Sequence, residues 1–487
     1  MGNTHSIAGH DCFMAAVSHN PGLVAFNGDP FFHSRVPPLY NTNVPVTPAL
    51  VTFPETSSQV AQIVQCAAAN GYKVQARSGG HSYGNHGRFH AHSNVISFPG
   101  LGGEDGAVVV DLRNIQHFSM NPRTHWATVG AGTNLGDLHT RLQNAGGRAV
   151  AHGTCLDVGM GGHFTIGGLG IMSREWGLAL DHIQEAEVVL ANGTIVRANH
   201  VHHPEVLFAV KGAAASFGIV TEFVLHTHAV PTHAVQYSYT FNAGNTTQKA
   251  QVFKDWQNFI FTKNLTRRVS SELVVSELGI ILSGKFFGSL SEWKSFEMHK
   301  NFPPANKGNV ITLTDWLGMI GSEAENIIQQ VGGAIPCSFY AKSMSFTDED
   351  FITDDVVDKL FEYIDSADKD TLAWFIIFDL EAGATNDPPV NATAYAHREA
   401  VMWMQSYAIN LFGPVSDKTK TFLNSINNVI SSSRPNTSYG AYPGYVDPLL
   451  PDAQRSYWGA NLPRLQQIKA EIDPYDIFHN PQSVQLT

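Results

Sequence analysis

The sequence predicts an α+β protein of more than one domain, and three observations carry that expectation. Its 487 residues exceed what a single hydrophobic core organises. In the first half, strand and helix signals alternate around turns rich in glycine. Beyond Val230-Pro231 the texture changes to alternating strands, such as 235–240 and 278–287, interleaved with helical stretches. That second pattern is expected of an antiparallel sheet with helices on one face.

Taken in order, 57–70 reads as a helix: Thr56 or Ser57 caps it, Val60, Ile63, Val64 and Ala67 form its apolar stripe, and Gly71 ends it. A short strand at 73–76 runs straight into Arg77-Ser78-Gly79-Gly80-His81-Ser82-Tyr83-Gly84. Residues 88–106 read as an irregular insertion. Strands follow at 107–111 and around 126–129, then a helix at 134–144. Stretches 187–190 and 194–197 form a hairpin through Asn192-Gly193. Residues 204–210 are helical, and 212–220 is a small-residue turn feeding a strand. Further helices are expected near 251–262, 354–366 and 398–411, and the tail over 461–478 is a helix and turn that returns to the first domain. The expected boundaries are 1–229, 230–445 and 446–487.

Charged residues make up 15% of the chain and apolar ones 43%, the balance of a packed globule rather than a disordered chain. The formal net charge of -12 argues against nucleic acid or an anionic membrane as partner. No apolar run reaches the length of a membrane span. The opening MGNTHSIAGHDCFMAAV lacks a basic segment ahead of a long apolar stretch and does not read as a signal peptide. Four cysteines, at 12, 66, 155 and 337, are too few for a disulfide scaffold and lack the spacing of a zinc site. His200, His202 and His203 lie in a solvated turn with no carboxylate or thiol to complete a metal site. No metal is expected. Sequons at Asn192, Asn245, Asn264, Asn391 and Asn436 lean slightly towards a secretory history.

The chemistry concentrates in residues 153–170, GTCLDVGMGGHFTIGGLG, where seven of eighteen residues are glycine. One reading is a flexible loop. The other is a backbone cradle for a phosphate-bearing cofactor with Cys155 beside it, because His163, Phe164 and Ile166 bring more apolar weight than loops carry. A Rossmann turn is disfavoured, since no G-x-G-x-x-G opens a helix after the 73–76 strand. His81 sits on one glycine turn and Cys155 on another, and a Cys–His hydrolase with Cys155 as nucleophile competes with the cofactor reading.

RSGGHSYG, GTCLDVGMGGH, Tyr442-Pro-Gly-Tyr445-Val-Asp447 and the closing Tyr475-Asp-Ile-Phe-His-Asn480-Pro-Gln-Ser483 resemble the berberine-bridge-enzyme-like branch of the vanillyl-alcohol-oxidase flavoproteins. The nearest pattern is that of the fungal glucooligosaccharide and chitooligosaccharide oxidases, and it runs in order over nearly the whole chain. The resemblance implies a vanillyl-alcohol-oxidase-type FAD-binding domain and a substrate domain. It implies FAD held by two covalent bonds, from His81 to the 8α-methyl carbon and from Cys155 to C6. Two tethers fix the ring and raise its reduction potential. Around the cofactor it places Arg77, Ser78, Gly79, Gly80, Ser82, Gly161, Gly162 and Gly167. His163 falls near the flavin, Gly218, Ile219 and Val220 lie towards the adenosine end, and Asn480 comes from the tail. Val158 stands where a small side chain leaves oxygen access, which favours an oxidase producing hydrogen peroxide.

In these enzymes a tyrosine takes the substrate hydroxyl proton while hydride leaves the same carbon, and the match is Tyr445. A free tyrosine has a pKa of about 10, so it needs help near neutrality. The implied helper is Asp379 in WFIIFDLEAG. Tyr83 and Gln405 match sugar-contacting positions, and Cys12 and Cys66 match a disulfide pair. That pairing places the chain, leader removed, in an oxidising, secreted setting. The departures fall on substrate recognition. An arginine and a glutamate of the sugar oxidases become Glu272 and Val274, a tryptophan and a glutamine become Phe375 and Ile377, and the asparagine of the tyrosine motif becomes Gly444. A site built for sugar hydroxyls changes preference when it loses those groups. The expected enzyme is a monomer acting on a small saccharide or alcohol with O2 as acceptor. The alternatives are a secondary-metabolite oxidase or oxidative cyclase of the same superfamily, and a flavin-bearing binding protein without turnover.

Overall fold

The computed structural model describes residues 8–85 without 31, 37 and 38, residues 105–320 without 242 and 243, and residues 337–487 without 372, 411, 412 and 436. Most of the insertion expected at 88–106 lies outside them, as does the sequon Asn436.

Short, β-branched runs open the chain. Strands β1 (Val24–Phe26), β2 (Leu50–Thr52), β3 (Val74–Arg77) and β4 (Val108–Asp111) assemble in the order β1-β2-β4-β3. The pairs β2–β4 and β4–β3 are parallel, and as in covered sheets their strands are buried along nearly their whole length. The helix Ser57–Ala69 covers it, with Val60, Ile63, Val64 and Ala67 all buried. Thr56 caps that helix by accepting from the Gln59 N–H at 3.2 Å. A Cys12–Cys66 disulfide ties the helix His10–Ala16 to it, with the two Cα atoms 5.9 Å apart.

Next come β5 (Phe118–Met120), β6 (Trp126–Gly130), β7 (Arg148–Ala149), β8 (Ile183–Val189), β9 (Ile195–Asn199), β10 (Ile219–His226) and β11 (His228–Ala229). Five of them form an antiparallel sheet in the order β5-β6-β10-β8-β9, and β7 pairs with β11. The β8–β9 hairpin turns at Gly193, where φ is +79°, as the Asn-Gly signal predicts. One hydrophobic cluster spans both sheets, from Val51 and Val110 to Val188 and Phe223.

The third unit is a seven-stranded antiparallel sheet of β12 (Ala234–Phe241), β13 (Val269–Ser276), β14 (Gly279–Phe286), β15 (Lys307–Leu313), β16 (Ser338–Thr347), β17 (Trp374–Leu380) and β18 (Ala400–Asn410), in the order β15-β12-β14-β13-β17-β18-β16. Its period of two is plain in β17. Trp374, Ile376, Phe378 and Leu380 join the core beneath the helices Thr246–Ile260, Asp354–Ser366 and Asp417–Ser432. Phe375 and Ile377 face the opposite side, and Asp379 lines the cavity there.

The helix expected at 398–411 is instead the strand β18. Both of its faces are buried, Met402, Met404 and Ala408 against the helices and Tyr407 and Ile409 on the other side. A run buried on both faces shows no clean alternation, and aromatic and β-branched content decides for strand. The tail returns as expected: Phe478 bridges Val74 of β3 in parallel. The fully buried Lys469 ammonium donates to Ser216 O, Phe478 O and the Asp473 carboxylate at 2.7–2.8 Å.

Candidate active site

One cavity of about 470 Å³ lies between the glycine turns and the helix-free face of the seven-stranded sheet. Two glycine turns meet at its wall because neither carries a side chain at the contact. A Cβ on Gly79 would overlap the Gly159 amide nitrogen and stand 2.8 Å from Asp157 O and Gly159 Cα. Ser78 clasps the two turns: its hydroxyl donates to Ala131 O at 2.7 Å and accepts from the Gly161 N–H at 3.3 Å. Gly161 therefore spends its N–H on this clasp. Arg77 is a brace under the same turn, its guanidinium on the buried Asp111 at 2.5 Å and on the Ser78 and Gly79 carbonyls at 3.3 Å. Gly80 sits at φ +75°, where glycine carries no penalty.

His81, Ser82 and Tyr83 leave this turn and line the cavity, as do Cys155 and Val158 from the second turn. Cys155 and Cys337 take no part in the disulfide. Gly162 also lines the cavity, and a Cβ there would meet nothing within 4 Å. His163 is neutral. Its Nε2 accepts from the Gly153 N–H at 2.9 Å, and burial pulls its pKa down to about 3. Gly218 and Val220 reach the far end of the cavity.

Four expected cofactor or substrate positions lie off the cavity wall. Gly167, at φ +144°, makes room for the Tyr442 ring, 2.8 Å from where a Cβ would stand. Ile219 opens β10 in the core. Asn480 closes its own turn, accepting from the Gln482 N–H at 3.0 Å. Phe375 packs on Tyr407 with ring centroids 5.5 Å apart.

Facing the turns, Tyr445 stacks on Tyr83 at 6.0 Å and meets Tyr442 at 5.0 Å. Gln405 donates to Tyr83 Oη at 3.1 Å. Asp379 stands on β17, directly across from Glu272 on β13. The Glu272 carboxyl hydrogen-bonds to Asp379 and Ser283, and burial lifts its pKa to about 7 against the pull of Lys285. Burial also lifts Glu381 to about 8. Beside these polar groups lies an apolar wall of Phe339, Ile377, Tyr407 and Ile409, with Val274 buried in the same cluster and Tyr40 and Tyr83 packed against it. Sequence reasoning passed over Lys285 and Phe339. The signal for Lys285 was a lysine inside the apolar strand β14, in step with Ser283.

His182, His226 and His228 bring ring nitrogens within 4.8 Å of one another. Both nitrogens of His182 are engaged, Nε2 accepting from the Ala151 N–H and Nδ1 meeting His226 O, so it has no lone pair for a metal.

The chain matches the FAD binding domain model over residues 48–199 and the berberine and berberine-like model over 441–485. It is 38% identical over 476 residues to the FAD-linked oxidoreductase sorD of Penicillium rubens, covering 97% of both chains. It is 33% identical over 461 residues to the xylooligosaccharide oxidase of Thermothelomyces thermophilus, covering 92% of this chain and 89% of that one. The structure superposes on glucooligosaccharide oxidase from Acremonium strictum, which carries a 6-S-cysteinyl, 8α-N1-histidyl FAD, with a TM-score of 0.85. That match has 28% identity and covers 99% and 100% of the two chains. With an FAD binding domain and relatives that are FAD-linked oxidoreductases and oligosaccharide oxidases, the chain is an FAD-dependent oxidase acting on CH–OH donors. The chain is a member of the berberine-bridge-enzyme-like family and has its vanillyl-alcohol-oxidase-type fold.

Proposed function

We propose that this enzyme oxidises a hydroxyl-bearing carbon, a saccharide C1 or another alcohol, using FAD held covalently by His81 and Cys155. The observation that carries the reading is the convergence of His81, Cys155, Tyr445 and Asp379, far apart in sequence, on one cavity. The cavity fits the group: its wall at Gly162 is open where a side chain would intrude, and an imidazole and a thiol face the same space. FAD bound there supplies a hydride acceptor and passes two electrons to O2, giving hydrogen peroxide.

The chain's own residues do the rest. Tyr445 Oη takes the proton of the substrate hydroxyl, and Asp379 accepts the phenol proton so that the base works near neutrality. The Tyr83–Gln405 pair positions the substrate against Tyr445. Ser78 keeps the two anchoring turns in register, and Arg77 braces the first of them. Gly79, Gly80, Ser82, Gly162, Val158, Gly218 and Val220 shape the cofactor's side of the cavity, and His163 stays uncharged beside it. Residues 1–229 and 446–487 hold the cofactor and 230–445 the substrate. The enzyme works as a secreted monomer, with Cys12–Cys66 formed in an oxidising compartment.

The apolar wall favours a second reading on the substrate side, an alcohol of a less polar metabolite. A wall of Phe339, Ile377 and Ile409 offers a sugar no hydrogen bond, and each unmatched hydroxyl costs about 1–3 kcal/mol. The test is peroxide release on cellobiose, xylobiose, chitobiose and a set of aromatic alcohols, together with peptide masses at His81 and Cys155. Flavin on both peptides with peroxide from any of these supports the proposal. Colourless denatured protein with both peptides unmodified rules it out.

A further inference from the structure

The register of β13 against β17 sets two carboxyl side chains opposite one another. Glu272 and Asp379 are a directly paired position of the sheet, so both project to the same face, into the cavity that Tyr445 also lines. Their side chains are hydrogen-bonded to each other. Two ionised carboxylates are acceptors only and cannot make that bond. One proton must therefore sit between them. Glu272 Oε1 is buried with no hydrogen-bond partner. A neutral carboxyl tolerates that exposure to a low dielectric far better than an ionised one. The charged and titratable groups around Glu272 come from each packed element: Asp379 on β17, Lys285 on β14 and Tyr237 on β12. Beyond the end of β17 stands Glu381 with Arg174 beside it. Lys285 is itself only 2% exposed, and its charge offsets one of the two carboxylates but not both.

We propose that Glu272 is a positioning residue that controls the proton-accepting state of Asp379, and that it is not a ligand for substrate hydroxyls. This rests on the Tyr445–Asp379 reading above. With Glu272 protonated, its O–H donates to Asp379 and lowers the basicity that the phenol of Tyr445 requires of that carboxylate. When Glu272 ionises, its proton passes to solvent, and Asp379 loses that donor, gains a like charge beside it and becomes basic enough to take the Tyr445 proton. The alcohol proton then moves to Tyr445 as the phenol proton moves to Asp379. No proton is created or lost in that relay. Burial holds Glu272 to a pKa of about 7, which puts the transition in the working range.

The test is infrared pH-difference spectroscopy on the holoenzyme and on its E272Q and E381Q variants. It is paired with anaerobic flavin reduction by whichever member of the alcohol panel reduces the wild type. In the wild type and in E381Q, a neutral carboxyl C=O band disappears with a midpoint near pH 7. In E272Q that band is missing. Flavin reduction by the wild type rises about tenfold between pH 6 and 8, as expected for loss of one controlling proton. E272Q stays flat over that range, at or below the wild-type rate at pH 6. Should E272Q lose its fold, E272D replaces it: a carboxyl band and a pH-dependent rate with a moved midpoint support the proposal. A band with its midpoint near pH 7 that persists in E272Q, or an unchanged pH profile in that variant, overturns it, whereas the Glu381 band near pH 8 is identified by its loss in E381Q. If no alcohol reduces the wild-type flavin, the oxidase reading has failed, while the infrared arm still decides who holds the proton.

Discussion

Replacing Gly162 with alanine separates the needs of the cofactor from those of the scaffold. Gly162 lies in the helix Met160–Ile166, where glycine costs up to about 1 kcal/mol relative to alanine. A methyl group there meets no protein atom within 4 Å. The flavin-free protein should therefore keep its stability or gain up to about 1 kcal/mol, a Tm change on the order of 1 °C. The same methyl projects into the cavity that FAD would fill, so covalent flavin per chain should fall. Gly79→Ala is the opposite case. Its methyl collides with backbone, Asp157 O and Gly159 Cα lying 2.8 Å away, and neither can turn aside as a side chain would. Overpacking of that kind costs about 1–3 kcal/mol. It should lower the stability of the flavin-free protein as well as flavin uptake. Absorbance of denatured protein reads the flavin, and urea unfolding of protein from riboflavin-starved cells reads the scaffold. Full flavin in Gly162→Ala, or an undiminished flavin-free stability in Gly79→Ala, would refute the cradle.

Tyr445→Phe should keep its flavin and fold while the rate of anaerobic flavin reduction drops by about 10²–10⁴, the usual worth of a positioned base; a loss under threefold would remove Tyr445 from that role. Cys12→Ser opens a bridge between positions 54 residues apart and should cost about 4 kcal/mol by chain entropy, and reductant should weaken the wild type equally. His163 and His182 are held neutral to about pH 3 by burial. Unfolded chains bind those protons near pH 6.5, so the stability these residues contribute is complete above that pH and lost progressively as pH falls towards 3. Urea midpoints measured from pH 7 to 4 should decline steadily, and a midpoint constant over that range would contradict the buried neutral histidines.

Where local chemistry and tertiary packing agree, the sequence is easily read. The helix Asp354–Ser366 shows its stripe and is found at the expected residues. Thr56 and Gly193 are also where the signals put them, and Cys12–Cys66 is the pair that the family resemblance implies. The β18 strand is the opposite case, because burial on two faces erases the alternation that would identify it. In the site, glycine turns are legible because close backbone approach leaves so few alternatives. The Glu272–Asp379 contact was not, since it depends on a register between strands a hundred residues apart. Arg77 lines the cavity as well, with its guanidinium held by Asp111 and by the Ser78 and Gly79 carbonyls, an arrangement that only the folded turn discloses.

The return of the tail to β3 has a consequence for biosynthesis. Phe478 bridges Val74, and Lys469 sits unexposed among groups contributed by Ser216, Asp473 and Phe478. A ribosome delivers β3 roughly four hundred residues before its neighbour Phe478 emerges. The nascent amino-terminal half must wait, partly unfinished, for the last stretch of translation. Truncations near the carboxyl end should therefore harm the cofactor-bearing half first, although the missing residues are the furthest from it in the message.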